Sequence, residues 1–368
     1  FYSSKSGGVK TYLLNKVDYI NRNGSSDIQH LLILPSDMDK IETKGRSCFH
    51  FIKSPKIPFC DSYRGIVNKK KIEDIIIKEN PDIVEVGSPY MVPSWIKSIK
   101  KDMDFKIVAF YHADIEKTWL SLVRTNIENE AIRMLARSYI KNTYNNMDLV
   151  IAPSNYVRKY LNDLGILNVR VVHLGLNSKI FSEDKIDICF RERYNIGKKK
   201  TILLFVGRFS SEKRIFKLLK LFNILDECNP ESYHLILVGG GPEEEKILNI
   251  TMKNITVIPY CSDKDKLACI YNSSDIFITA SNSETFGLSI LEAQSCGLPV
   301  IAYNEGPIPE IVYKKEFLAD TDSQFIQNIE NVSKILSKKL RSEIRDFIVN
   351  NFSWDKTFSN LFSIYYDL

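Results

Sequence analysis

At 368 residues, 44% of them hydrophobic and 26% charged, with 16 glycines and 13 prolines, the chain reads as globular, which excludes the disordered, collagenous and repeat classes. Its length favours two domains of about 100 to 200 residues each, and no apolar run approaches the roughly 18 residues of a membrane-spanning helix, so an integral membrane role is excluded. Fifty Lys plus Arg against 45 Asp plus Glu give a net charge of +5, which suits an anionic ligand or a membrane surface but is too small to argue for nucleic acid.

Short β-branched apolar runs alternate with helix-length amphipathic stretches, the pattern of parallel βαβ units covered by helices on both faces. Residues 1–3 read as the stump of a first strand running into Gly7-Gly8, and strands follow at 31–34, 83–86, 107–110, 149–152 and 169–173. Asp, Lys and Ser then cluster in a linker around 174–196. A second series of strands occupies 201–206, 234–238, 255–258, 276–279 and 299–302. The predicted class is α/β, with parallel-sheet halves at 1–175 and 176–352, a terminal segment at 353–368, no evident internal repeat and no low complexity. The seven cysteines are odd in number, scattered and without a C-x-x-C pair, so neither a zinc site nor a disulfide framework is expected and a reducing cytoplasm fits better. The sequence begins at Phe1 rather than Met, which suggests a missing short leader and leaves a cleaved signal open.

In open parallel sheets ligands sit beyond the carboxyl ends of the strands, so chemistry is sought just after each strand. In SKSGGVKTYL, Gly7 and Gly8 fall where a helix begins and its N–H groups could meet phosphate, although a lone glycine pair is a weak signal. In YHADIEKTW, His112 lies just beyond the strand at 107–110, on the edge where the first half should face the second. A lone histidine is more often structural, and position is the only argument for this one. Residues 127–143 place Ile132, Leu135, Ala136, Tyr139 and Ile140 on one helical face, with Arg133, Arg137 and Lys141 at i, i+4 and i+8. A helix of this kind can lie on anionic lipid; a core-packed helix with a solvated basic face is the weightier reading.

In VGRFSSEKR, Arg208 and Lys213 follow a strand and open a helix, two cations suited to a diphosphate leaving group; a pair of solvated surface charges is the bland alternative. VGGGPEEEKI sets Gly239, Gly240, Gly241 and Pro242 between a strand and a helix, but Glu244 stands where a G-x-G-x-x-G fingerprint has its third glycine, which weakens an oxidoreductase reading. A nucleotide could pass close to the Gly240-Gly241-Pro242 backbone, and a turn that simply needs glycine accounts for any one of these positions at least as well. The richest stretch, IFITASNSETFGLSILEAQSCGLP, runs from a strand through a loop bearing Glu284, Thr285, Phe286 and Gly287 into a helix from about Leu288 that carries Glu292. A helix start offers unpaired N–H groups and partial positive charge, and Gly287 permits close approach, so this loop can hold phosphate oxygens. Glu284 and Glu292 beside it would accept hydrogen bonds from ribose or sugar hydroxyls, or merely favour the helix N-terminus electrostatically.

Taken in order, GGVKTYL, PDIVEVGSPY, YHADIEKTW, DLVIAPSNYVRKYL, VVHLGLNSKIF, LLFVGRFSSEKR, LILVGGGPE, SSDIFITASNSETFGLSILEAQSCGLPVIA and the terminal FSWDKTFSNLFSIYY resemble the retaining nucleotide-sugar glycosyltransferases of family 4, and nearly the whole chain takes part. The most specific piece is the E-x₇-E spacing of Glu284 and Glu292. The resemblance implies a GT-B fold: two Rossmann-like parallel-sheet domains facing a central cleft, acceptor-side at 1–175 and nucleotide-sugar-binding at 176–352, with the helix of 353–368 crossing back to the first. It implies that Glu292 binds the donor ribose, Glu284 the sugar hydroxyls, and the Phe286-Gly287-Leu288 backbone the phosphates. By the same resemblance, Arg208 and Lys213 neutralise the departing diphosphate, Gly7 and Gly8 contact it from the other domain, and His112 approaches the transferred sugar. Three positions depart from the family pattern: Arg214 and Tyr260 stand where glycine is common, and Asn177 where aspartate is. They bear on loop shape and base identity.

The implied reaction moves a hexose from a nucleotide diphosphate sugar to a hydroxyl of a glycolipid or a growing polysaccharide, with the anomeric configuration kept. GGVKTYL, PDIVEVGSPY and YHADIEKTW look most similar to mannosyltransferase-like members, which implies GDP-mannose, with a UDP-hexose as runner-up. No obvious pair of carboxylates serves as nucleophile and acid, as a hydrolase would need. Two cations and a helix N-terminus can neutralise a diphosphate without Mg²⁺, so no metal and no cofactor is expected. A nucleotide-sugar epimerase of the same fold is the second enzymatic reading. A silent binding protein is the third, and the full set of Arg208, Lys213, Glu284 and Glu292 argues against it. The Ile-, Lys- and Asn-rich composition suggests an AT-rich bacterial genome, with the protein in the cytoplasm or peripheral on the inner face of its membrane.

Overall fold

The computed structural model describes residues 7–24, 28–57, 60–112, 114–122, 130–250 and 252–368. The strand stump expected at 1–3 therefore lies outside the described residues, as do 127–129 of the basic helix. The chain divides into two compact units, Phe1–Leu174 with Trp354–Leu368, and Gly175–Ser353.

In the first unit, four parallel strands lie in the order Ile83–Val86, Lys106–Phe110, Leu149–Ala152 and Val169–Val171. All four residues of Leu149–Ala152 are buried, as expected of a parallel strand covered on both faces. A further sheet pairs His30–Ser36 in parallel with Ser47–Lys53, which in turn pairs antiparallel with Lys40–Lys44. Neither strand of this antiparallel hairpin is among the strands expected from the sequence. Lys40–Lys44 reads KIETK and is exposed along its whole length, so it carries no apolar run to reveal it. The turn is made by Gly45 at φ +60°, where a Cβ would come within 2.5 Å of the Asn21 amide oxygen.

The helix Trp354–Tyr366 belongs to this first unit. Its buried Phe358 packs 5.5 Å from the rings of Tyr12 and Tyr19 on the helix Gly8–Asn23. The basic helix spans Glu130–Tyr144 and buries Ala136, Ile140 and Tyr144, an i, i+4, i+8 stripe. Leu135, predicted for the buried face, is 64% exposed, as is Met134 at 65%. The reason is that Arg133 and Arg137 turn inward to Glu116 of the helix Ile115–Leu122, which rotates the stripe.

The second unit is built on six parallel strands in the order Ile255–Pro259, Tyr233–Gly240, Thr201–Arg208, Ile276–Thr279, Val300–Tyr303, Leu318–Ala319. The chain winds outward from Thr201–Arg208 in one direction, then returns to its other side at Ile276–Thr279. The sheet therefore has its switch point between these two strands, where a crevice opens beyond their carboxyl ends. Arg208 and Lys213 follow one of them and Glu284 follows the other.

Candidate active site

The strand Thr201–Arg208 ends on the exposed Arg208, paired in register with Gly240. A short turn, Ser211–Lys213, then precedes the helix Ile215–Cys228. The turn sets the Lys213 ammonium 2.5 Å from Glu284 Oε1, an ion pair with side-chain exposures of 19% and 14%. These two candidates, 71 residues apart, meet across the switch point.

After Glu284 the chain reaches Gly287 at φ +103°, the cap of the helix Leu288–Ser295, with no side-chain cap bond. The left-handed turn favours glycine, and a Cβ there would lie 3.0 Å from the Ile311 side chain. Phe286 is 1% exposed, with its ring 6.0 Å from that of Phe352, so its side chain anchors the loop and leaves only backbone to offer a ligand. A helix that begins in this way directs its first N–H groups and partial positive charge outward.

Glu292 sits on the second turn of that helix, apart from Lys213 and Glu284. Burial pushes its carboxyl up to about 7, against the opposing pull of Lys264 and a hydrogen bond donated by Tyr271 Oη at 3.2 Å. Tyr271 is buried in the helix Lys264–Asn272, with its ring between Phe181 and Phe277 at 5.9 and 6.1 Å. Nothing in the sequence pairs Tyr271 with Glu292, since the two lie 21 residues apart on different helices.

The glycine turn has a structural account. Gly239 and Gly241 both adopt φ +154°, and a Cβ would fall 1.9 Å from the Gly207 carbonyl oxygen at the first and 2.6 Å from that of Phe209 at the second. The Phe209 amide donates to the Gly240 carbonyl at 3.0 Å, and the Glu243 amide to the Phe209 carbonyl at 3.0 Å. Glycine is thus required for the turn to lie against the loop after Arg208, whatever else passes over Gly240 and the exposed Pro242.

Of the departures from the family pattern, Asn177 keeps the turn: its Oδ1 accepts from the Lys179 and Ile180 amides at 3.1 and 3.3 Å, as an aspartate would. Tyr260, just beyond Ile255–Pro259, is 53% exposed.

The remaining candidates lie in the first unit. Gly7 caps the helix Gly8–Asn23; both glycines are exposed, and a Cβ on Gly7 would meet nothing within 4 Å. His112 stacks on Phe110 at 4.2 Å, with the Tyr12 ring 4.9 Å away, and burial lowers its imidazole to about 4, so it is neutral at pH 7. Nearby is a cluster that sequence reasoning missed. Glu85 accepts from Tyr12 Oη at 3.0 Å, from Lys16 Nζ at 2.8 Å and from Tyr365 Oη. Burial opposes the Glu85 charge, but Lys16 and the Tyr365 hydroxyl outweigh it and hold the carboxyl at about 2.

Among the described residues no three His, Cys, Asp or Glu side chains gather as a metal would require. Three Asp-x-Asp triplets follow strands, at 37–39, 263–265 and 320–322, and their carboxylates are otherwise engaged: Asp37 accepts from the Ser36 hydroxyl at 3.1 Å, Asp320 from the Asn304 amide at 3.1 Å, and Asp322 from the Tyr303 hydroxyl at 2.6 Å. Asp39 accepts from the Lys53 amide and pairs with Lys71, Asp263 caps the helix Lys264–Asn272, and Asp265 pairs with Lys185.

Cations and a helix start gathered at the switch point of a parallel sheet suit an anionic, phosphate-bearing ligand. Sequence comparison makes this specific: the family model described as Glycosyltransferase Family 4 matches residues 6–179, and that described as Glycosyl transferases group 1 matches 189–351. The chain belongs to the family 4 glycosyltransferases: it has the GT-B fold, is related to mannosyltransferases, and transfers a sugar from a nucleotide diphosphate sugar to an acceptor. It is similar to a GDP-mannose-dependent alpha-mannosyltransferase of Corynebacterium glutamicum, 27% identical over 81% of this chain and 69% of the relative. It is also similar to the sulfoquinovosyl transferase SQD2 of Arabidopsis thaliana, 28% identical over 78% of this chain but only 55% of that longer relative. Among solved structures, the sucrose-phosphate synthase of Thermosynechococcus elongatus superposes with a TM-score of 0.76 over 98% of this chain and 94% of its own, at 19% identity, a likeness of fold.

Proposed function

We propose that this protein is a retaining hexosyltransferase that moves mannose from GDP-mannose to a hydroxyl of a glycolipid or surface polysaccharide. The observation that carries the reading is the Lys213–Glu284 pair, formed across the switch point beside the uncapped helix start at Gly287. The similarity to a GDP-mannose-dependent mannosyltransferase supports the donor.

In this reading the bond between the anomeric carbon and the diphosphate oxygen breaks while the acceptor oxygen bonds to the same face of the sugar. The acceptor proton passes to the departing diphosphate. Arg208, Lys213 and the Leu288–Ser295 N-terminus stabilise the charge that develops there, a role that preorganised donors fill well away from bulk water. Glu284 accepts from the sugar hydroxyls, Glu292 from the ribose, and the Phe286-Gly287-Leu288 and Gly240-Gly241-Pro242 backbones line the nucleotide. In the first unit, 1–175, Gly7, Gly8 and a neutral His112 are the candidates for donor contact, and in the second, 176–352, the candidates are those already named. With three sources of positive charge on the diphosphate, the reaction proceeds without a metal ion. The helix Glu130–Tyr144 touches lipid through Met134 and Leu135 rather than through charge, because Arg133 and Arg137 are paired with Glu116.

The test follows labelled sugar from GDP-mannose and UDP-hexoses into lipid or polysaccharide acceptors, with EDTA present. Transfer from GDP-mannose with retained configuration is expected. Label that stays in a small molecule identifies an epimerase, transfer from a UDP-hexose alone replaces the donor, and loss of activity in EDTA overturns metal independence.

A further inference from the structure

Immediately after Lys213, Arg214 occupies a left-handed backbone conformation, φ +49° and ψ +42°, at the cap of the helix Ile215–Cys228. A side-chain-bearing residue adopts that conformation at a cost, and glycine suits it better. The guanidinium shows what arginine gains there. Its Nη1 donates to both carboxylate oxygens of Glu305, at 3.1 and 3.2 Å. With the Asn282 amide turned so that its nitrogen donates to the Glu212 carbonyl at 2.9 Å, its oxygen accepts from Arg214 Nη2 at 2.7 Å and Nε at 3.1 Å. All three guanidinium nitrogens are engaged, and with two different loops.

Those loops are the ones that matter for the site. Asn282 stands two residues before Glu284, and its backbone amide also donates to the Glu212 carbonyl at 3.3 Å. The segment Glu212-Lys213-Arg214 is therefore joined to the Asn282–Glu284 loop at successive points, of which the Lys213–Glu284 pair is the last. Glu305 follows Val300–Tyr303, the next strand in the sheet, so Arg214 cross-ties the carboxyl ends of three adjacent strands.

We infer that Arg214 is a positioning residue, held by Asn282 and Glu305, that fixes the distance between Lys213 and Glu284 without itself touching the donor. Its nitrogens are engaged by protein, and a lysine could not replace it, because one ammonium lacks the planar fork that bridges an amide and a carboxylate. The inference rests on the reading of Lys213 and Glu284 as donor-site residues, since a misplacement of about 1 Å at such a site can cost about 100-fold in rate.

The test is Arg214→Gly, which suits the backbone and removes the fork, compared with Arg214→Lys and with Glu305→Ala, each confirmed folded by its melting transition. In the crystal structure of Arg214→Gly the Lys213–Glu284 contact is expected to be lost; an unchanged pair overturns the inference. In sugar transfer, Arg214→Gly and Arg214→Lys are expected to lower kcat by about 10- to 100-fold with donor KM little changed. Adding Glu305→Ala to Arg214→Gly should cost little more, because the two act as one unit. Full activity in Arg214→Lys, or a change confined to KM, contradicts a positioning role. The structural comparison needs no turnover, so it decides the matter even if the proposed reaction fails.

Discussion

Two lysine–glutamate pairs, one in each unit, look alike in distance and differ in everything around them. Lys16 and Glu85 meet at 2.8 Å with side-chain exposures of 6% and 13%, and Glu85 also accepts hydrogen bonds from Tyr12 and Tyr365. Lys213 and Glu284 meet at 2.5 Å, at 19% and 14%, and among the described residues their side chains have only each other. The first pair is saturated by its own chain and joins three elements, the helices Gly8–Asn23 and Trp354–Tyr366 and the strand Ile83–Val86. The second sits at the switch point of a sheet and keeps hydrogen-bonding capacity for something else. A saturated pair holds structure, whereas an unsaturated pair beyond a strand end is available for a ligand.

That contrast can be broken by substitution, beginning with the largest effect. Glu85→Ala leaves Lys16 charged and enclosed, which should destabilise the first unit by about 3 to 5 kcal/mol; a calorimetric transition close to the parent's would mean that the cluster is not structural. Lys213→Ala and Glu284→Gln should instead cost less stability than Glu85→Ala, because this pair has no further side-chain partners to lose among the described residues. Lys213→Ala or Arg208→Ala should lower turnover by roughly 100-fold or more, about 2.7 to 4 kcal/mol of stabilisation of the leaving charge, and near-parental rates would remove that residue from the mechanism. Glu292→Ala should weaken nucleotide affinity by about 1.5 to 3 kcal/mol, read by calorimetric titration, through loss of hydrogen bonds to a charged acceptor.

The smallest effect is one of pH. Glu292 is held near 7, above the ordinary carboxylate value, so its ionised form fills as pH rises through that point. If the ionised form accepts from the ribose, nucleotide affinity should rise about 10-fold from about pH 6 to about pH 8 and become flat in Glu292→Gln. A parental profile that falls over that range would contradict the assignment. His112, lowered to about 4, should contribute no inflection there.

How far the sequence could be read depended on what each element buries. Strands such as Leu149–Ala152 and Ile276–Thr279, buried at every position, stand out as apolar runs and match the predicted limits residue for residue. Lys40–Lys44 could not be seen, because an exposed edge strand has no such run, and Leu318–Ala319 is too short to make one. The apolar face of Glu130–Tyr144 was misjudged at Leu135, since Glu116 draws two arginines inward and periodicity alone cannot register a charge on a neighbouring helix. Glu284, Lys213 and Gly287 could be singled out as candidates because ligands of such sheets sit beyond strand ends. Tyr271 and Glu305 could not, for their importance lies in side-chain contacts made across 21 and 91 residues of sequence. Arg214 was visible as a departure from glycine, but its purpose appeared only with Asn282 and Glu305 around it.

The central claim is that the second unit holds a nucleotide diphosphate sugar through Glu292 and the loop that precedes its helix. Its most direct test is a thermal-shift panel of GDP, UDP, ADP and their sugar conjugates, run on the parent and on Glu292→Ala. A ligand at about 100 times its Kd adds about 2.7 kcal/mol to the native state, which is readily measured. Stabilisation by GDP and GDP-mannose that disappears in Glu292→Ala is the predicted result. No stabilisation by any nucleotide, or the same stabilisation in the variant, would contradict it.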